Sequence, residues 1–318
     1  MKSSILTLLF VVGLLSCSRK GQPEIAPRPV ARFTVDGTQY NILNRESANE
    51  NCNSIFFSFN MYRKSAEFAV KDFPYSVEFH LSKNGQLLYA KLDGDAGEFR
   101  TSTFAPMRSA NISNFVYNTT DNELSLDLDV TLLNTRTLQP ITLKAVVDRL
   151  SISQTDCGNS SSDTFSASLE RVGRQTSFFQ QRLNSEETNN LYQPPYPTPT
   201  YYRHTLISTD GYEIRLENSV GLKPLKKGVY DISSEAATPL KVSFNEFLGE
   251  TAPASLDSYL PRDWRAYRVS GTLEIIDQYG SSTGNKVSGK LTFTAFDTEG
   301  KPVFRLTNGN FVTYNPLR

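Results

Sequence analysis

The side chains whose type and spacing could do chemistry are few, and a cysteine leads them. Cys17 closes the stretch Leu14-Leu15-Ser16-Cys17, behind Lys2 and the apolar run Ile5–Leu15 and ahead of Arg19 and Lys20. A cationic start and a short apolar run make an export signal. The run is too short for a bilayer span, which takes about 20 apolar residues. A thiolate at its end is a nucleophile of the kind that can take a diacylglycerol. Two or three acyl chains give a lasting anchor. The chain has 3 cysteines. Assigning Cys17 to lipid leaves Cys52 and Cys157, an even pair in an oxidising compartment. A disulfide between them would close a loop of about 105 residues, worth on the order of 4–5 kcal/mol in the chain-entropy model. Two free thiols are the alternative reading.

The remaining candidates are weaker. His80 and His204 are the 2 histidines, one in a strand-like stretch and one after a proline-rich connector. Neither belongs to a cluster of the kind a zinc site needs. A serine nucleophile on a strand-to-helix elbow has no place in an all-β architecture. Asp127 and Asp129 form a D-x-D on one strand face, and Asp93–Glu98 (DGDAGE) adds an acidic turn. Oxygens in that number could hold a calcium ion, or two carboxylates could flank a glycosidic bond. A solvated strand face and an ordinary turn account for both stretches without a metal, so no metal or cofactor is expected. The aromatics Tyr196, Tyr201, Tyr202 and Trp264, with Tyr192, Tyr259 and Tyr267, could stack against sugar rings or simply dock the connector onto its neighbour.

Behind these residues the sequence reads as all-β. "ELSLDLDVTL" alternates with period two, placing Leu124, Leu126, Leu128, Val130 and Leu132 on one face. Asp36-Gly37, Asn84-Gly85 and Asp210-Gly211 are hairpin signals between apolar runs. The expected organisation is a signal peptide (1–16), a proline-punctuated tether (17–30), a β-sandwich-like domain (31–157), a polar linker holding a short helix and a Pro-rich segment (158–200), and a second β-sandwich domain (201–318). Two stretches, "ISNFVY…NELSLDLDVTLLN…ITLKAVVD" and "GTLEII…NKVSGKLTFTAFD…PVFRLTNGNF", share one order of strands and turns. That order fits either a duplication or the general look of antiparallel meanders. Lys+Arg and Asp+Glu both total 33, and a neutral chain lacks the cationic footprint that nucleic acid requires.

The sequence at Cys17 resembles the lipobox of bacterial lipoproteins, which implies that Cys17 carries lipid, palmitate included, and leads the mature chain. The last hundred residues resemble a pattern in outer-membrane lipoproteins of Bacteroidetes-type bacteria, classed as a domain of unknown function. The matching positions are Gly228 and Tyr230, then Gly271, Val287, Gly289, Phe293, Ala295, Asp297, Asn308, Gly309 and Phe311. The resemblance implies a small exported β-sandwich and carries over no catalytic or binding residue. Phe293, Phe304 and Phe311 read as core. Gly271 and Gly289 read as close approaches or bulges near strand starts, and Asp297–Gly300 and Asn308-Gly309 as turns. The expectation is a lipid-anchored envelope protein that binds or scaffolds and does not catalyse, with envelope proteins or glycan as partners. A glycan- or peptide-binding accessory protein and a hydrolase with paired carboxylates are the alternatives. A cationic Ser18-Arg19-Lys20, where surface-exported relatives carry acidic residues, favours the periplasmic side of the outer membrane.

Overall fold

The computed structural model describes residues 30–42, 47–51, 54–62, 75–154, 164–171, 174–179, 183–187, 202–218, 226–234, 240–281 and 284–315. These residues are all-β, with no helix of seven residues or more. They form two almost wholly antiparallel bodies, each built from one sheet. The sandwich-like layering arises because each sheet wraps round and packs against itself.

The first body comprises β1 (Ala31–Val35), β2 (Thr38–Ile42), β3 (Ser47–Asn51), β4 (Ser54–Tyr62), β5 (Tyr75–Ser82), β6 (Leu87–Gly94), β7 (Gly97–Arg100), β8 (Ala110–Asn118), β9 (Glu123–Asn134), β10 (Pro140–Ser151) and β11 (Ser153–Gln154). Strict alternation in β9 buries its five expected apolar residues, since successive side chains of a strand point to opposite faces. Asp36 and Gly37 both take positive φ (45° and 79°), the conformation of a type I′ turn, whose twist matches the strands it joins. Eight strands close a barrel in the order β4-β2-β1-β10-β9-β7-β6-β5, with β5 returning to β4. The joint between first and last strands runs from Ala31 opposite Val147 to Val35 opposite Leu143. Phe33, Phe57, Phe59 and Phe79 fill the interior and are fully buried. One wall is split: β9 pairs with β7 near Asn134 and with β8 from Val130 to Glu123. The stretch 101–109 between β7 and β8 therefore leaves the wall, ending in a 3-10 turn at Pro106–Ser109.

The second body comprises β12 (Thr164–Arg171), β13 (Arg174–Phe179), β14 (Leu183–Glu187), β15 (Tyr202–Ile207), β16 (Tyr212–Asn218), β17 (Gly228–Ser233), β18 (Leu240–Phe247), β19 (Trp264–Ser281), β20 (Gly284–Phe296) and β21 (Pro302–Asn315). It is a nearly closed barrel, running from β13 through β12, β21, β20, β19, β18, β16 and β15 to β14, with β17 alongside β18 and β19. The stretch expected to be linker therefore supplies three strands, and its described residues hold strand where a short helix was expected. Phe165, Ala167 and Leu169 of β12 alternate into the core, a pattern short and serine-diluted enough to read as polar loop. The Pro-rich segment lies outside the described residues. Phe293, Phe304 and Phe311 are core residues as expected. Gly271 and Gly289 sit within their strands, not at the starts, opposite Phe293 and Phe311. Asn308-Gly309 is not a turn: Asn308 (φ 53°) is the extra residue of a bulge in β21 against both β20 and β12.

Candidate functional site

Three outward excursions meet between the barrels: the 101–109 stretch of the first, and the 208–211 hairpin and 248–263 loop of the second. The backbone joins them first. Thr103 N–H donates to the Leu256 carbonyl (2.7 Å) and Met107 N–H to that of Thr209 (3.1 Å). Arg108 then reaches across, its Nε donating to the Asp210 carbonyl (3.0 Å) and its Nη1 to that of Phe247 (2.5 Å). A Cβ on Gly211 would lie 2.8 Å from Arg108 Nη2, and its φ of +86° also suits glycine. The Thr209 hydroxyl donates to Gln86 Oε1 (2.7 Å), and Arg100 Nη2 lies 2.6 Å from Asp257 Oδ2.

Inside this polar frame sits an aromatic cluster. Trp264 has Phe247, Tyr259 and Phe104 around it, with ring centroids at 5.2, 5.3 and 5.4 Å. Tyr259 stacks on it nearly parallel (20°) while 39% exposed, and the Arg215 guanidinium stands 4.7 Å from the Tyr259 centroid. Arg215 is held by Glu213, a carboxylate 1% exposed that also accepts from Asn245 Nδ2 (2.7 Å). The seam leaves polar demand unmet among the described residues, since Trp264 Nε1, Asp263 Oδ2 and Arg100 Nε are buried without a hydrogen-bond partner. Burial pushes the nearby Glu250 carboxyl up, against the pull of Arg108.

A second polar group lies just inside the adjoining end of the second barrel. Glu246 accepts from the Tyr267 hydroxyl (2.6 Å) and pairs with Arg171 (3.2 Å), whose guanidinium sits 5.2 Å from the Phe304 centroid. Burial, and then the hydrogen bond to Glu246, hold the Tyr267 phenol above its usual value.

The residues singled out from the sequence are scattered. Trp264 is in the seam, packed among rings of both barrels. Tyr202 opens β15 opposite Glu187 and Asn218, and His204 lies within the same strand, not in a connector. His80 stands between Phe56 (4.6 Å) and Tyr89 (6.0 Å) on the outside of the first barrel. Asp129 pairs with Lys144 (2.8 Å) and Asp127 accepts from Asn114 (2.5 Å), while Lys91 meets Asp93 and Glu98 at the acidic turn. Among the described residues no three of His, Cys, Asp or Glu gather as a metal site would require. Tyr196, Tyr201, Cys17, Cys52 and Cys157 lie outside the described residues. The sequence reading passes over one G-x-S-x-G string, Gly280–Gly284, whose described residues close the β19–β20 hairpin with Ser281 opposite Gly284. It also misses Phe104, Arg108, Phe247 and the buried pair Glu213 and Glu246. No protein-family model, curated protein or solved structure matches the chain.

Proposed function

We propose that this is an exported lipoprotein, held on the outer membrane through lipid on Cys17, which binds or scaffolds at the cell envelope without catalysing a reaction. The observation that carries the reading is the seam. Arg108, the backbone bonds and the Trp264 cluster tie two barrels into one body. The acidic side chains nearest to chemistry serve as structural partners: Glu213 and Glu246 in and beside the seam, Asp127 and Asp129 on β9. A rigid body of fixed shape suits presentation of a surface to other envelope molecules. Both barrels also turn apolar faces inward and polar faces outward, the reverse of a membrane-spanning barrel, which fits attachment by lipid. The cationic Ser18-Arg19-Lys20 supports the periplasm-facing side.

Labelling cells with a palmitate analogue tests the anchor: label on the wild type and none on Cys17→Ala, with the variant leaving the membrane fraction, is expected. An unlabelled wild type refutes it. A pull-down from solubilised membranes tests the role, and recovery of stoichiometric envelope proteins is expected. A second reading, glycan binding, is favoured by the partly exposed Tyr259 ring stacked on Trp264. Retention on a polysaccharide column that Tyr259→Ala abolishes would select it over the scaffold.

A further inference from the structure

Where the wall of the first barrel is split, β6 loses its neighbour partway along. β7 pairs with it from Gly94 to Lys91. Thr101 then exchanges bonds with Ala90, donating its N–H to the carbonyl (3.0 Å) and accepting the Ala90 N–H at Oγ1 (3.1 Å). Past that point no described strand pairs with β6 on this side. There the N–H of Leu87, a fully buried residue, donates to the Sδ of Met107 (3.1 Å). A thioether is a weak acceptor, so this bond is a soft substitute for the carbonyl that a neighbouring strand would supply.

Met107 also belongs to the seam. Its own N–H donates to the Thr209 carbonyl of the second barrel, and Arg108 beside it bonds the Asp210 and Phe247 carbonyls. Its side chain packs against the core of the first barrel. Gln86, next to Leu87, accepts from the Thr209 hydroxyl. One sulfur thus ties the wall of the first barrel to the turn that grips the second. Exposure sets this sulfur apart from the other described methionine, because Met61 is 0% exposed and Met107 only partly buried.

From this placement we infer that Met107 is a site of reversible oxidation, at which a hydroperoxide loosens the joint between the barrels. The thioether sulfur attacks the peroxide, an S–O bond forms and the O–O bond breaks. Sulfur gives up two electrons, and the proton on the transferred oxygen passes to the departing hydroxide, which leaves as water. The product is a sulfoxide, polar and chiral, which methionine sulfoxide reductases return to the thioether. Either epimer disturbs the contact. Oxygen on the lone pair aimed at Leu87 would have to fit inside the 3.1 Å gap. Oxygen on the other lone pair leaves an electron-poor sulfur facing the N–H and sets a polar atom beside the core. In both cases a buried donor on β6 loses its acceptor, and the Pro106–Ser109 turn loses its hold on the wall. The inference concerns the joint alone and stands whether or not the chain is lipid-anchored or a scaffold.

The test treats the purified full-length protein with hydrogen peroxide, then maps its peptides by mass spectrometry and scans it by calorimetry. Sulfoxide is expected at Met107 several-fold faster than at Met61, with a melting temperature lower by about 2–8 °C. Reductases for both epimers, supplied with dithiothreitol, should restore the original transition, and dithiothreitol alone should not. Met107→Leu, which has no sulfur to oxidise, should start lower and then ignore peroxide. That variant also separates Met107 from the cysteines, which peroxide attacks in both proteins. An equal loss in Met107→Leu, a Met107 that resists peroxide in the folded protein, or a sulfoxide that leaves the transition unmoved would each overturn the inference.

Discussion

A Cβ on Gly271 would stand 2.5 Å from the Cα of Phe293 across the ladder, and nearer still to the Thr292 carbonyl oxygen. Backbone, not a flexible side-chain end, occupies the space, so the neighbour cannot yield cheaply. Gly271→Ala is therefore expected to destabilise the second barrel by about 1–3 kcal/mol, read from the urea midpoint. His80 argues a different residue-level effect. Burial between Phe56 and Tyr89 holds its imidazole below the usual 6.5, although the Glu78 charge pulls the other way. The unfolded chain thus takes the proton first as pH falls. The stability tied to neutral His80 is complete above 6.5 and is lost as pH drops from there toward the folded value. The difference in melting temperature between wild type and His80→Asn should shift against the wild type across that window, and a constant difference would contradict the argument.

Among the elements, β21 shows how a strand can bend without breaking. Asn308 takes φ 53° as the extra residue against both neighbours, a conformation that asparagine tolerates and β-branched residues do not. Asn308→Val should cost about 1–3 kcal/mol and Asn308→Gly much less, both measured by chemical denaturation. The same position explains what was legible in the sequence. "N-G" signals positive φ correctly, but whether that serves a turn or a bulge depends on two strands distant in the chain. β9 was legible outright, because five apolar residues alternate over ten positions. β12 was not, because its inward residues are only Phe165, Ala167 and Leu169 amid serines. Closure of either barrel had no local signal, since β1 meets β10 and β12 meets β21 across more than a hundred residues. The seam was hidden for a related reason. Phe104 lies outside the strands, and Phe247 and Trp264 stand at the ends of theirs, where an apolar residue has no periodic partner to announce it.

At the scale of the molecule, both barrels are wound alike. Read round each ring, with β17 of the second set aside, the strands come in chain order and the first pairs with the last. In each, a proline-led 3-10 turn (Pro106–Ser109, Pro261–Asp263) precedes the strand that enters the closing meander. These corresponding turns both lie at the seam, so the shared order noticed in sequence extends to the parts that join the halves. The join itself leans on Arg108, whose guanidinium bonds two carbonyls of the other barrel. Truncating it leaves those carbonyls to water or to no partner, at about 1.5–3 kcal/mol for a charged donor. The Trp264 cluster would remain, so each barrel should still fold. Calorimetry should then turn one cooperative transition of the wild type into two in Arg108→Ala, with the sharper loss in Arg108→Ala combined with Phe104→Ala. A single transition shifted as a whole would mean that the barrels are coupled through contacts other than this side chain.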